Sequence, residues 1–121
     1  MNTAPVSLFD SITDLMPEHA GAVAISGSHG GLYPASVASR GGLRGVIFND
    51  AGIGMERAGV AGVEALAGVG MAAAAVDAMS CEIGSAADMR AHGRISVVNA
   101  VAGALGVSPG MTVARAASLL A

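Results

Sequence analysis

Three seven-residue apolar runs, Gly21 to Gly27 (GAVAISG), Leu43 to Asn49 (LRGVIFN) and Met71 to Asp77 (MAAAAVD), recur along the chain, each ending in small or polar residues. Runs of this length, apolar at successive rather than alternate positions, are the mark of strands buried on both faces, as in a parallel sheet. Parallel strands need crossovers, and the intervals supply them. Leu32 to Arg40 reads as a helix with Pro34 in its first turn, where a missing N–H costs little, and Gly41-Gly42 closing it. Glu56 to Val69 sets Val60, Val63, Glu64 and Ala67 at helical spacing, with Gly70 as the stop. The pattern is β-α-β-α-β. Ala72 to Ala75 is its odd member, because Ala favours helix over strand; Gly70 and Asp77 hold the run to strand length.

The flanks complete the expectation. Val6 to Ile12 predicts a fourth strand at an edge. Ser85, with Asp88 three residues on, predicts an N-cap for a helix over Ala86 to His92, continuing through Gly93 into Ile95 to Leu105. Ser108-Pro109 is expected to open a last helix running through Leu120. Taken together, residues 1–121 predict one α/β domain: a small three-layer, Rossmann-like sandwich with a mainly parallel sheet of three to four strands and C-terminal helices.

Charge narrows the chemistry. The chain has six Arg and no Lys, with a formal net charge of −3, so no basic stripe can track a phosphate backbone and nucleic acid is not expected as a partner. Lacking Lys, it has neither a Schiff-base amine nor a P-loop cation. Any anion must be held by backbone N–H groups, Arg or His. The first basic residue is Arg40 and the longest smooth apolar run, Ala65 to Val76, is too short to cross a bilayer, which together predict a cytoplasmic protein without membrane attachment. The single Cys81 agrees with a reducing compartment. Only 12% of residues are charged against 53% hydrophobic, too little charge to coat a monomer in the usual way, so a homo-oligomer is expected. The 26 Ala and 18 Gly offer a blander account of the same ratio.

In an open parallel sheet ligands bind beyond the carboxyl ends of the strands. The first run leads there into Ser26-Gly27-Ser28-His29-Gly30-Gly31, just ahead of a helix. Glycine lets a backbone approach a ligand, and free N–H groups at a helix start favour a carboxylate or phosphate. The spacing is not that of the dinucleotide-binding fingerprint. Ser26, Ser28, Gly30 and Gly31 are therefore the expected anion-binding residues, with Asn49 from the second strand end and Arg90 and Arg94 from MRAHGR. His29, with Asp50 and Asp77 at the next two strand ends, is the expected catalytic group. On one continuous helix Asp88, His92 and Asn99 would share a face, with Arg90 and Arg94 on another.

Two function classes follow. One is a small oligomeric enzyme for an anionic carboxylate or phosphate substrate, a hydrolase, lyase or isomerase, with His29 as acid, base or electrophile and Asp50 as its partner. The other is a non-catalytic ligand-binding or assembly subunit. No cofactor is expected, and no metal either, because no pair of candidate ligands has a metal-binding spacing. Cys81 is not expected to be a nucleophile, since it lies four residues ahead of the Ser85 cap, too far for clear help from the helix dipole.

Overall fold

The computed structural model describes residues 4–121. It contains a five-stranded sheet in the sequential order β1-β2-β3-β4-β5, one strand more than the upper expectation. The strands are β1 (Val6–Phe9), β2 (Val23–His29), β3 (Gly45–Asn49), β4 (Ala72–Val76) and β5 (Ile95–Val98). The first four are parallel and β5 is antiparallel to β4. The helices are α1 (Leu32–Arg40), α2 (Ala61–Ala67), α3 (Ala86–His92), α4 (Ala100–Ala104) and α5 (Val113–Leu120).

Strand alternation splits the core in two. Ala22, Ala24, Val46, Phe48, Ala73 and Ala75 face one layer, where Ala35 and Ala38 of α1 and Val63 and Leu66 of α2 meet them. Val23, Ile25, Ile47, Ala72, Ala74 and Val76 face the other, against Met89 of α3 and Val113, Ala116 and Leu120 of α5. The sequential order explains why α1 and α2 share a face: crossovers of one hand that always step in one direction stay on one side. Burial on both faces also explains an all-alanine centre in β4. The strand is enclosed by helices above and below, and short side chains fit the gap; packing overrides propensity.

Three expectations are corrected. The helix expected to continue from His92 through Gly93 to Leu105 is broken: Gly93 is extended, Ile95 to Val98 form β5, and Asn99 caps the separate α4. Ile95, Val97 and Val98 are β-branched and suit a strand, and the Gly93 N–H closes α3 on the Met89 carbonyl. Asp88, His92 and Asn99 therefore do not share one helix face. The last helix starts at Val113, capped by the Thr112 hydroxyl, whereas Ser108 to Met111 form a turn. The helix expected from Glu56 begins only at Ala61; Met55–Arg57 ahead of it make an irregular turn in which Glu56 and Arg57 have positive φ. The edge strand expected in Val6 to Ile12 is present as β1, stopping at Phe9, with Ile12–Asp14 turning as 3-10 helix.

Candidate functional site

Four parallel strands end at one edge of the sheet, and the amino end of β5 joins them there. His29 is the last residue of β2 and is exposed. Its Nδ1 accepts the Gly31 N–H at 3.1 Å, which fixes the ring against the turn and places the neutral ring's proton on Nε2. Gly30 donates to the Asn49 carbonyl at 3.0 Å, so the turn is stitched to β3. Gly31 then caps α1, with no side chain bonded to that end. Ala35 N–H returns to the Gly31 carbonyl and Pro34 has no N–H, which leaves Leu32 and Tyr33 as the helix-start donors without an intrahelical acceptor.

The glycines of this turn answer to packing. Neither Gly30 nor Gly31 has positive φ. A Cβ on Gly30 would lie 2.8 Å from the Val63 side chain, and one on Gly31 would lie 2.5 Å from the His29 ring. Gly62 of α2 sits directly on the Gly31 carbonyl and donates its N–H to the Gly30 carbonyl at 2.8 Å. Small residues here let α2 abut the turn, a reason that does not invoke a ligand.

The two serines turn inward. Ser26 is buried and its Oγ accepts the Ser28 N–H at 3.1 Å; Ser28 Oγ accepts the Ile12 N–H at 3.0 Å. Asn49 is buried as well: its Oδ1 accepts the Ala51 N–H at 2.8 Å, while Nδ2 has no partner. Asp50 is buried and held from three sides. Its Oδ1 accepts the N–H groups of Gly52 at 2.8 Å and Ala78 at 3.0 Å, and its Oδ2 accepts the Ser96 hydroxyl at 2.7 Å. No hydrogen bond joins Asp50 to His29. Asp77 is exposed and its Oδ1 accepts the Met79 N–H, closing its own loop. Arg94 reaches the Gly110 carbonyl at 3.4 Å, and Arg90 lines a recess beside β1. The edge thus collects His29, Asn49, Asp50 and Asp77 from consecutive strands, but the geometry joins Asp50 to Ser96, not to His29, and sends Arg94 to the Gly110 turn.

Sequence reasoning missed three participants. Ser96 serves Asp50 only because residues 95–98 form a strand beside β4. Asp10, at the end of β1, accepts the Ala86 N–H at 3.0 Å and so ties β1 to the start of α3. Arg57 belongs to the loop after β3 and pairs with Glu64 at 2.7 Å, both exposed. That loop is strained: Ala51, Ile53, Glu56 and Arg57 all have φ between 50° and 68°, in the left-handed region. The loop packs on the turn, the Gly59 carbonyl 3.0 Å from where a Gly30 Cβ would stand. Nothing in the residue types of Ala51 or Ile53 signals that conformation.

Around this edge Leu32, Tyr33, Met55, Met79 and Ile83 are all exposed, Met79 at 92%. Burial pushes the half-buried Cys81 thiol above its ordinary value; Asp88, Asp77 and Asp50 push the same way and a Ser80 hydrogen bond opposes them. Among the described residues no group of three or more His, Cys, Asp or Glu is placed to hold a metal ion. No helix among them is long and apolar enough to cross a membrane. A cavity of about 500 Å³ lies elsewhere, between Leu15 to Ala20 and the end of α1. Comparison with known proteins leaves the site to its geometry: no family model, no curated protein and no solved structure matches the chain.

Proposed function

We propose that the protein binds a small anionic molecule, a carboxylate or phosphate, at the turn from Ser28 to Gly31, where β2 passes into α1. The observation that carries this reading is the fixed ring of His29. The Gly31 bond to Nδ1 leaves the proton on Nε2 of an exposed side chain, two residues ahead of a helix start whose first two N–H groups, on Leu32 and Tyr33, are unclaimed. Three donors of one polarity within five residues suit an anion, and the helix dipole adds to them. His29 then serves the substrate as hydrogen-bond donor and electrophile through Nε2. An enzyme of this kind would polarise a carbonyl or stabilise the charge that develops on an oxygen, which fits a hydrolase, lyase or isomerase acting without a cofactor in the cytoplasm.

A second reading has its own support. Asp50, the carboxylate at the neighbouring β3 end, is already satisfied by Gly52, Ala78 and Ser96, and Asp10 at the β1 end is bonded to Ala86, so among the described residues no carboxylate pairs with His29 to orient it. That favours a binding or assembly subunit working as a homo-oligomer, a state also in keeping with the low charge and the exposed apolar residues of this edge.

Thermal denaturation in the presence of inorganic phosphate and a panel of small mono- and dicarboxylates tests the site. A ligand that binds the native state should raise the Tm of the wild type and not that of His29→Ala. Equal shifts in both proteins, or none in either, would remove the turn as the site. Turnover of a stabilising ligand, lost in His29→Gln, separates the enzyme from the binding subunit.

A further inference from the structure

We propose that two copies of the protein pair through the outer edge of β1, in antiparallel register about Ser7, to make one continuous sheet. This rests on reading the protein as a homo-oligomer and names the surface that makes it one. The Val23 N–H donates to the Pro5 carbonyl at 2.9 Å, and β1 pairs with β2 in parallel through Val6↔Val23 to Phe9↔Ser26. In a parallel ladder the N–H and C=O of one residue point the same way, so Pro5, Ser7 and Phe9 face β2 while Val6 and Leu8 turn both groups outward. Strand β1 lies at the end of the sheet order, with β2 as its one strand partner among the described residues.

The edge is self-complementary. A two-fold axis at Ser7 sets Val6 opposite the partner's Leu8, and each such pair exchanges two N–H···O bonds, four in all. The strand Val-Ser-Leu-Phe carries no charge, bulge or internal proline, the devices that ordinarily keep an edge single. Side chains fit too. Val6 packs on the α3/α5 side of the sheet, whereas Phe9 belongs to the opposite layer, so Leu8 shares the face of Val6 by alternation. Leu8 is 36% exposed, and Val6 lines a recess of about 160 Å³ with Ile25, Arg90, Ala114, Ala117 and Ser118. Pairing Val6 with the partner's Leu8 puts that leucine at the recess. The exposed Ala114 and Ser118 are small enough to let a second copy approach.

Charge agrees with this register. Among the described residues Arg90 has no carboxylate at ion-pair distance. Asp10 lies two residues beyond Leu8 and bonds α3 at Ala86, so its carboxylate is on the same face. The partner's Asp10 is thereby brought to the α3 side of the pair, where Arg90 stands. Two four-residue strands and a filled recess make a small interface, so the dimer should depend on concentration.

Sedimentation of the wild type across the micromolar range should show a particle of twice 11.7 kDa growing in with concentration. Leu8→Lys, which places a charge on the edge and empties the recess, should sediment as monomer at every concentration with its circular dichroism unchanged. In a Cys81→Ser background, Ser7→Cys should cross-link to a covalent dimer under oxidised glutathione, because residues at the axis stand about 4.5 Å apart in Cα, within disulfide range. A wild type that stays monomeric throughout would overturn the oligomer reading itself. A dimer that resists Leu8→Lys, or a Ser7→Cys protein that does not cross-link, would overturn the β1 edge alone. Should Leu8→Lys fail to fold, the cross-link still decides.

Discussion

Gly62 shows how a single residue sets the distance between two helices. Any side chain there would run into the Gly31 carbonyl and the Ala35 methyl, which is backbone and core and cannot rotate away. Gly62→Ala should therefore destabilise the protein: overpacking costs about 1 to 3 kcal/mol, of which the gain in helix propensity returns at most about 1 kcal/mol. Gly103 is the control, since a Cβ there meets only Val98 at 3.9 Å, and Gly103→Ala should raise stability by up to about 1 kcal/mol. Urea melts of the two variants check both signs. Cys81 provides a second residue-level test. Its thiol is pushed up chiefly by burial and then by three carboxylates, so the folded state holds the proton more tightly than the unfolded chain. The stabilisation is present in full below the ordinary thiol pKa and is lost as pH rises through the folded value. Iodoacetamide should accordingly label native Cys81 much more slowly at pH 7 than the same residue in urea; equal rates would contradict the shielded thiol.

At the scale of elements, the three central strands and α1 were legible because their signals are local. Apolar runs are bounded by glycine and polar residues, and Pro34 and Gly41 mark the two ends of the helix between the first two of them. Strand β5 was not legible. Its neighbours continue two helical spacings, Asn99 that of Asp88 and His92 and Arg94 that of Arg90, and the competing strand exists only because β4 offers an edge to pair with. The same tertiary dependence hid the role of Asn99. Its Oδ1 accepts N–H groups from Ala73 and Ala102, while Nδ2 donates to the carbonyls of Val63 and Met71, so one buried amide fastens α2, β4 and α4. Asn99→Ala strips a helix cap and leaves several buried groups unpaired, a loss expected on the order of 3 kcal/mol. A chemical-denaturation midpoint close to wild type would contradict the joint. At the candidate site, the strand end was legible, although β2 runs on through Ser28 and His29 so that only Gly30 and Gly31 turn; the partner of Asp50 was not, for Ser96 reaches it across 46 residues of chain. The strained loop was also out of reach, since Gly52 and Gly54 announce flexibility and say nothing of Ala51, Ile53, Glu56 and Arg57.

Across the whole molecule, protection should fall from the middle of the sheet to its edges. Strands β2, β3 and β4 are paired on both sides and covered on both faces, whereas β1 has one strand neighbour and a half-covered face. Amide exchange from β2 to β4 should therefore require global opening, and that of β1 only local fraying. Within β1 the pattern should alternate, because Ser7 and Phe9 direct their N–H groups to β2 while Val6 and Leu8 direct theirs outward. In dilute protein Val6 and Leu8 should exchange freely and Ser7 slowly. Pairing of two β1 edges would cover the first two amides and leave the third as it was. Residue-resolved exchange at rising protein concentration should then slow Val6 and Leu8 selectively, with β5 amides unmoved as the internal reference. Slowing at β5 instead would move the interface to the opposite edge of the sheet, and uniform slowing would speak for stabilisation of the fold without a shared strand.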